Sequence, residues 1–298
     1  MFEPEPLVLD ASHDLDELRA AAERAADHWS LPAPELMRIG QNAVFTAGDL
    51  ILRVGIATAP MGVALRFAER VAAAGVRVAR PARPDWVASG RLSVTAWERI
   101  DADPGAVVDW ERVGAMVARV HAIDPHTVDH PLPFCASFPW WRFDDTIALV
   151  GTVDHAAATG MRAALAEHRW WLDAGHAGGP LALLHGDVHT GNVLVDAAGP
   201  VLIDWDLLCV GPPEWDHAAL CTWTDRWGGR PGLYEAFAAG AAEPLDDRRL
   251  RAIAQLRLLA ATLMRVQRAA IDPAAADEAQ RRLAYWRGDP DAPQWRAQ

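Results

Sequence analysis

Lysine is absent from the 298 residues, so all 28 basic side chains are arginine. Any role usually given to lysine therefore falls to a planar, permanently charged guanidinium, which grips pairs of oxygens where an ammonium acts as a point charge. A basic surplus is also lacking: 40 acidic residues against 28 basic ones give a formal net charge of −12. That excludes nucleic acid as the main partner, because nothing is left over to neutralise phosphates, and it fits a cationic small molecule better. Cysteine is scarce. Cys135, Cys209 and Cys221 are too few and too unevenly spaced for a disulfide framework or a zinc cluster, which points to a reducing cytoplasm. No stretch reaches the ~20 apolar residues needed to cross a bilayer, and the acidic first residues lack the basic start and apolar run of a secretory signal. Repeats and low-complexity segments are missing beyond a general excess of alanine.

What is present is a chain with 51% hydrophobic residues, enough for a sizeable core. Leu15, Leu18, Ala22 and Ala25 recur at spacings of three and four and predict an amphipathic opening helix over residues 14–29. Short β-type runs follow, Val44 to Thr46 and Leu50 to Val54, joined by Gly48-Asp49 as a tight turn. An alanine-rich helix over residues 61–74 is expected to stop at Gly75, and two more extended pieces lie near 86–88 and 92–97. Beyond residue 101 the pattern turns helical, over 108–122, 155–174, 214–225 and 246–270, interrupted by one hairpin, Val193 to Val195 and Val201 to Ile203. The expected fold class is α+β with two lobes: residues 1–101 as a small antiparallel sheet lobe carrying an extra helix, and 102–298 as a helical lobe holding the hairpin.

The chemistry is concentrated in one stretch, LLHGDVHTGNVLVDAAGPVLIDWD, residues 183–206. An apolar pair leads into His185-Gly186-Asp187, Asn192 follows the aspartate at +5, and Asp204 ends the hairpin at +17. Phosphoryl transfer needs a carboxylate to position the attacking hydroxyl and oxygen ligands to hold magnesium on nucleotide phosphates. One rigid hairpin supplies both: Asp187 accepts the hydroxyl hydrogen bond and then its proton, and Asn192 and Asp204 are the metal ligands.

The segment resembles the catalytic region of aminoglycoside phosphotransferases and their relatives, the choline, homoserine and sugar-amine kinases. Their His-Gly-Asp, four residues, Asn, then Ile-Asp after a strand is occupied by His185, Gly186, Asp187, Asn192, Ile203 and Asp204. The resemblance implies the protein kinase-like fold, with ATP or GTP bound between the lobes together with Mg2+. It also implies nucleotide contacts from Gly40, Asn42 and Arg53 in the small lobe, and adenine contacts from the backbone of Glu98 and Ile100. A glutamate from the following helix usually pairs with the phosphate-binding cation. Glu69 is the only one in residues 61–74 and stands several residues late, so an exposed helix charge is the equal alternative. His121 and His185 are implied as structural, and Asp216 as a brace for the catalytic loop. The chain departs from the pattern at Thr190, where proline is frequent, at Asp206, where glycine is frequent, and in lacking the protein kinase glycine triplet. Three roles stay open for Asp206: a second magnesium, substrate, or solvent at the strand end.

For the hydroxyl acceptor, the resemblance points to Glu214 and Asp225, with Trp140 and Trp141 able to stack on a sugar or enclose an ammonium group. Trp170 and Trp171 read as helix packing. The expected protein is thus a Mg2+-dependent phosphotransferase acting on a small-molecule hydroxyl such as that of an aminoglycoside, amino sugar or amino alcohol, as a monomer or homodimer. A catalytically silent kinase-like binding module is the alternative, and Asp187, Asn192 and Asp204 together speak against it. Nothing after Asp204 matches the peptide-docking phrases of protein kinases.

Overall fold

The structure, a computed structural model, describes residues 15–40, 42–56, 61–128, 131–137, 143–173 and 181–296. Helix α1 (Leu15–His28) buries Leu18, Ala21, Ala22, Ala25 and Ala26 along one stripe. Small side chains there let it lie close on a five-stranded antiparallel sheet of β1 (Glu35–Ile39), β2 (Ala43–Ala47), β3 (Leu50–Ile56), β4 (Val87–Ser89) and β5 (Leu92–Glu98), in the order β1-β2-β3-β5-β4. Phe45, Leu52, Val54 and Val94 meet α1 from the sheet. Because strand side chains alternate between faces, Arg53, between Leu52 and Val54, emerges on the face away from α1. The β2–β3 hairpin turns at Gly48, whose φ of 62° is left-handed.

Helix α2 (Met61–Ala73) connects β3 to β4, yet its Phe67 and Val71 join the core of the second lobe, beside Val113 and Val117 of α3 (Trp110–His121). That lobe adds α4 (Phe143–Val153), α5 (His155–Asp173), α6 (Glu214–Ala218), α7 (Trp223–Trp227), α8 (Leu233–Ala241), α9 (Asp247–Ile271) and α10 (Ala276–Trp286). Asp246 caps α9 through the amides of Arg248 and Arg249. Helices α3 and α8 cross so closely that a Cβ on Gly114 would lie 2.0 Å from the Phe237 oxygen, and one on Gly240 1.7 Å from the Glu111 oxygen. Among the described residues no helix is long and apolar enough to cross a membrane.

Two short antiparallel pairs frame the catalytic stretch. β6 (Ala182–Leu184) pairs with β9 (Cys209–Gly211), and β7 (Val193–Asp196) with β8 (Gly199–Leu202). The β7–β8 hairpin is tied to the chain between α2 and β4. Arg77 makes a bidentate contact to Asp196 at 2.9 and 2.6 Å, and Leu202 donates to the Arg77 carbonyl at 2.9 Å. The hairpin is therefore fixed by both lobes.

The two-lobed α+β plan, the opening helix, the β2–β3 and β7–β8 hairpins and the stop at Gly75 match the sequence expectations. The single helix expected over 214–225 is instead α6 and α7, separated by a 3-10 turn at Leu220–Thr222. The break lets both Leu220 and Trp223 enter the core, a tertiary demand that overrides local propensity.

Candidate active site

Strand β6 delivers His185, Gly186 and Asp187 into a tight turn. Gly186 has φ of 88°, and a Cβ there would stand 1.9 Å from the Leu207 oxygen, so only glycine fits. His185 is fully buried; Nε2 donates to the Ile203 carbonyl at 3.0 Å, and Nδ1 accepts from the Asp187 amide at 3.3 Å. Burial pushes the imidazole below its ordinary range, which agrees with a neutral ring using one donor and one acceptor. Its role is to brace the loop.

Both oxygens of Asp187 are held. Oδ1 accepts from Arg257 of α9 at 2.9 Å, while Oδ2 lies 3.3 Å from His189 Nε2 and 3.3 Å from Asn192 Nδ2. Burial pushes the carboxyl up, but the imidazole of His189, and then Arg257, outweigh it and hold Asp187 below the ordinary carboxylate range. His189 Nδ1 accepts from the Gly191 amide at 3.0 Å, and its Nε2 faces both Asp187 Oδ2 at 3.3 Å and Asn192 Nδ2 at 3.1 Å. The ring stacks on Trp223 at 5.6 Å and 7°. Arg257 also donates to the Gly186 carbonyl at 2.9 Å, which Trp215 Nε1 reaches at the same distance.

Asn192 spends its amide nitrogen on Asp187, donating to the backbone oxygen at 2.9 Å. Among the described residues its Oδ1 takes no hydrogen bond, which leaves that oxygen for a cation. Asp204 adopts φ of 65°, a left-handed conformation uncommon outside glycine, just past the end of β8. The turn separates its carboxylate from the strand and aims it at the other lobe, where Arg53 Nη2 lies 3.0 Å from Oδ1. Asp206 accepts from the same guanidinium nitrogen, and from Asn42 Nδ2 at 2.9 Å. Burial lowers the proton affinity of Arg53 and Asp204 partly restores it.

Asp187, Asn192, Asp204, Arg53 and Asn42 thus converge across the two lobes, and Asp206 joins them as a partner of Arg53 and Asn42. Gly40 lies in the β1–β2 turn, its amide donating to the Asn42 carbonyl at 2.9 Å. Glu69 is exposed on α2, and among the described residues the carboxylates on Arg53 are Asp204 and Asp206. The Glu98 amide is bonded to the Arg80 carbonyl at 2.9 Å, and the Ile100 carbonyl accepts from Ala102 at 2.9 Å.

The acceptor-side expectations fare unevenly. Glu214 is fully buried at the start of α6, its oxygens taken by Arg249 at 2.8 and 2.9 Å and by the Asp246 amide at 2.7 Å. It is a structural ion pair and presents no face to a substrate, which corrects its assignment. Asp225 is exposed on α7, two residues past the Trp223 that stacks on His189. Trp140 and Trp141 lie outside the described residues. Trp171 packs in the core against Trp215 at 6.0 Å.

Among the described residues no three His, Cys, Asp or Glu side chains form a metal cluster. That does not count against magnesium, which keeps several waters and takes one or two protein oxygens plus phosphate. The hard-oxygen pair of Asn192 Oδ1 and the Asp204 carboxylate fits that demand.

Sequence reasoning passed over His189 and Arg257. His189 stands two residues past Asp187 and was open to detection. Arg257 lies 70 residues away on an arginine-rich helix, where nothing local marks it out.

A family model described as a phosphotransferase enzyme family matches residues 46–259. Among solved structures, a spectinomycin phosphotransferase in complex with ADP and spectinomycin is 14% identical over 88% of this chain and 90% of its own, with a TM-score of 0.64. A choline/ethanolamine kinase family protein from Mesorhizobium loti is 24% identical over 93% and 95%, with a TM-score of 0.59. A macrolide 2'-phosphotransferase from Brachybacterium faecium is 20% identical over 94% and 100%, with a TM-score of 0.54. At these identities the likeness establishes a common fold. No curated protein matches the chain.

Proposed function

The chain belongs to the phosphotransferase enzyme family, and on that premise we propose that it moves the γ-phosphoryl group of ATP or GTP, as the magnesium complex, to a hydroxyl of a small molecule. The observation that carries the reading is the convergence on Asp187. The carboxylate is anchored by Arg257 and joined by Asn192, and Asp204 on the same catalytic stretch meets Arg53 of the other lobe.

The substrate hydroxyl donates to Asp187, whose fixed plane orients the oxygen for in-line attack. As the bond from that oxygen to the γ-phosphorus forms, the bond to the β-phosphate oxygen breaks and the nucleoside diphosphate leaves. The hydroxyl proton passes to Asp187. A carboxylate held below its usual range is a weak base, which suits a loose transition state in which proton transfer comes late. Asn192 and Asp204 would hold the magnesium, which supplies neutralisation of phosphate charge when bound. Arg53 grips phosphate oxygens, with Asn42 and Gly40 lining the loop above them. With the Glu98 amide committed to Arg80, the amide available to the adenine edge is that of Ile100. We place the lobe boundary near residue 101, between β5 and α3, and the protein in the cytoplasm. Asp225 is left as an acceptor-side contact, which fits a cationic acceptor.

The test is nucleoside diphosphate release from Mg-ATP and Mg-GTP across a panel of aminoglycosides, amino sugars, choline-like alcohols and peptide antibiotics. Acceptor-dependent release with one of them, abolished in Asp187→Asn, is expected. Tight nucleotide binding with no acceptor-dependent release would instead favour a silent binding module.

A further inference from the structure

The buried end of α3 holds a charged cluster that the reaction itself does not use. His121 Nε2 lies 3.1 Å from Asp216 Oδ2, and Nδ1 lies 2.8 and 2.9 Å from the two oxygens of Glu243. A neutral imidazole owns one N–H and one lone pair, so it can satisfy one of these carboxylates only by pointing its lone pair at the other. The ring is buried, and only the imidazolium satisfies both neighbours. Asp216 in turn spends its oxygens on the catalytic loop: Oδ2 accepts from the His185 amide at 2.9 Å and Oδ1 from the Gly186 amide at 2.8 Å. The chain of contacts runs from Glu243 through His121 and Asp216 to the residue before Asp187.

Glu243 is delivered to this position by a feature of its own. It follows Ala242, which closes α8 with φ of 51°, a left-handed conformation that costs a residue with a Cβ. His217 Nε2 stands 3.5 Å from Glu243, with Tyr234 Oη 3.4 Å from its Nδ1. Among the described residues, the charged and titratable groups facing His121 are therefore Glu243 from the α8–α9 loop and Asp216 from α6, with His217 and His185 behind them.

We propose that Glu243 is a positioning residue for the catalytic loop, keeping His121 charged so that Asp216 stays oriented on the amides of His185 and Gly186. The inference rests on the reading of Asp187 as the group that handles the acceptor hydroxyl. Burial pushes His121 down, but Asp216 and Glu243 raise it to about 9, and the same contacts lower Glu243 to about 2 against its burial.

The test has two readouts. Nitrogen NMR of the full chain reports the charge of the His121 ring directly. Both nitrogens are expected to be protonated at pH 7.5 in the wild type, and Glu243→Gln is expected to move the titration down by at least one pH unit. Steady-state kinetics should then show kcat reduced about tenfold with the KM for nucleotide within twofold, and Glu243→Asp should recover most of it. A neutral single tautomer in the wild type, or a titration unmoved in Glu243→Gln, overturns the proposal, as does an unchanged kcat alongside a moved titration. Because the wild-type ring is read without a variant, a Glu243→Gln protein that fails to fold still leaves the charge to decide the matter. Full activity of Asp187→Asn would sink the reading of the active site while leaving the His121 titration to judge the brace.

Discussion

Arg257 reaches from the middle of α9 to the loop after β6 and binds Asp187 there, Nη2 to Oδ1 at 2.9 Å, with Nη1 on the neighbouring Gly186 carbonyl. One guanidinium thus fixes both the Asp187 side chain and the Gly186 carbonyl just before it, and it is itself stacked on Trp215 with 5.0 Å to the ring centroid. A planar fork suits this task, since its two donors diverge at a fixed angle. Replacing Arg257 by Gln should lower kcat on the order of 10- to 100-fold, the scale of losing a charge-assisted hydrogen bond that orients a catalytic group. The KM for nucleotide should move little. Arg257→Lys, which keeps charge but loses the fork, should recover only part of the rate in steady-state assays; full recovery would mean that charge alone matters.

Asp187→Ala should leave nucleotide binding near its wild-type strength and reduce turnover about a thousandfold or more, since positioning and proton acceptance are lost together. Calorimetry with Mg-ADP and single-turnover phosphorylation of the acceptor measure the two effects separately. Residual turnover within tenfold of wild type would remove Asp187 from the reaction.

Asp204→Ala should abolish the part of nucleotide affinity that depends on magnesium. Titrations with ADP in excess Mg2+ and in chelator should differ strongly for the wild type and converge for the variant. A persistent difference between the two conditions would assign the metal elsewhere.

Much of this site was legible because its residues are close in sequence. Asp187, Asn192 and Asp204 lie within one short stretch around the β7–β8 hairpin, and the resemblance placed Arg53 beside it. The helices α4, α8 and α10 and the strands β1, β6 and β9 were not separated from their surroundings. Three-residue strands such as β6 leave too short a pattern to read, and β1 is exposed at every position, so it has no alternation to show. Glu214 misled for a related reason. Its neighbour Asp216 does reach the loop, but helix geometry turns residues two apart to different sides, and Glu214 meets Arg249 instead. Long-range partners such as Arg257 and Glu243 depend on how α9 and the α8–α9 loop pack, which no local spacing encodes.

Glu214→Ala tests that correction through stability. The change leaves Arg249, whose side chain is only 20% exposed, without its carboxylate, and removing one partner of such a pair costs about 3 kcal/mol or somewhat less at this exposure. Urea denaturation should show the midpoint lowered, while KM for the acceptor at a temperature where the variant is folded stays within twofold. A large acceptor KM effect without loss of stability would return Glu214 to the substrate side.

His121 gives the fold a distinct pH dependence. Its proton affinity is raised from 6.5 to about 9 in the folded chain, so the folded state binds a proton that the unfolded state releases above its own lower value. The contribution is fully present below pH 6.5 and is lost as pH rises through about 9. Glu243 works in the opposite direction. Lowered from 4.5 to about 2, it stabilises above its ordinary value, and that contribution is lost as pH falls towards about 2. The two windows overlap between about pH 5 and 6.5, where thermal melting of the wild type should be highest. Melting temperature should then decline on the alkaline side up to about pH 9. In His121→Asn the alkaline decline should flatten relative to the wild type, because the residue that sheds its proton is gone. A wild-type melting curve level from pH 6 to 9.5 would show that His121 is not charged in the fold and that Asp216 holds the catalytic loop unaided.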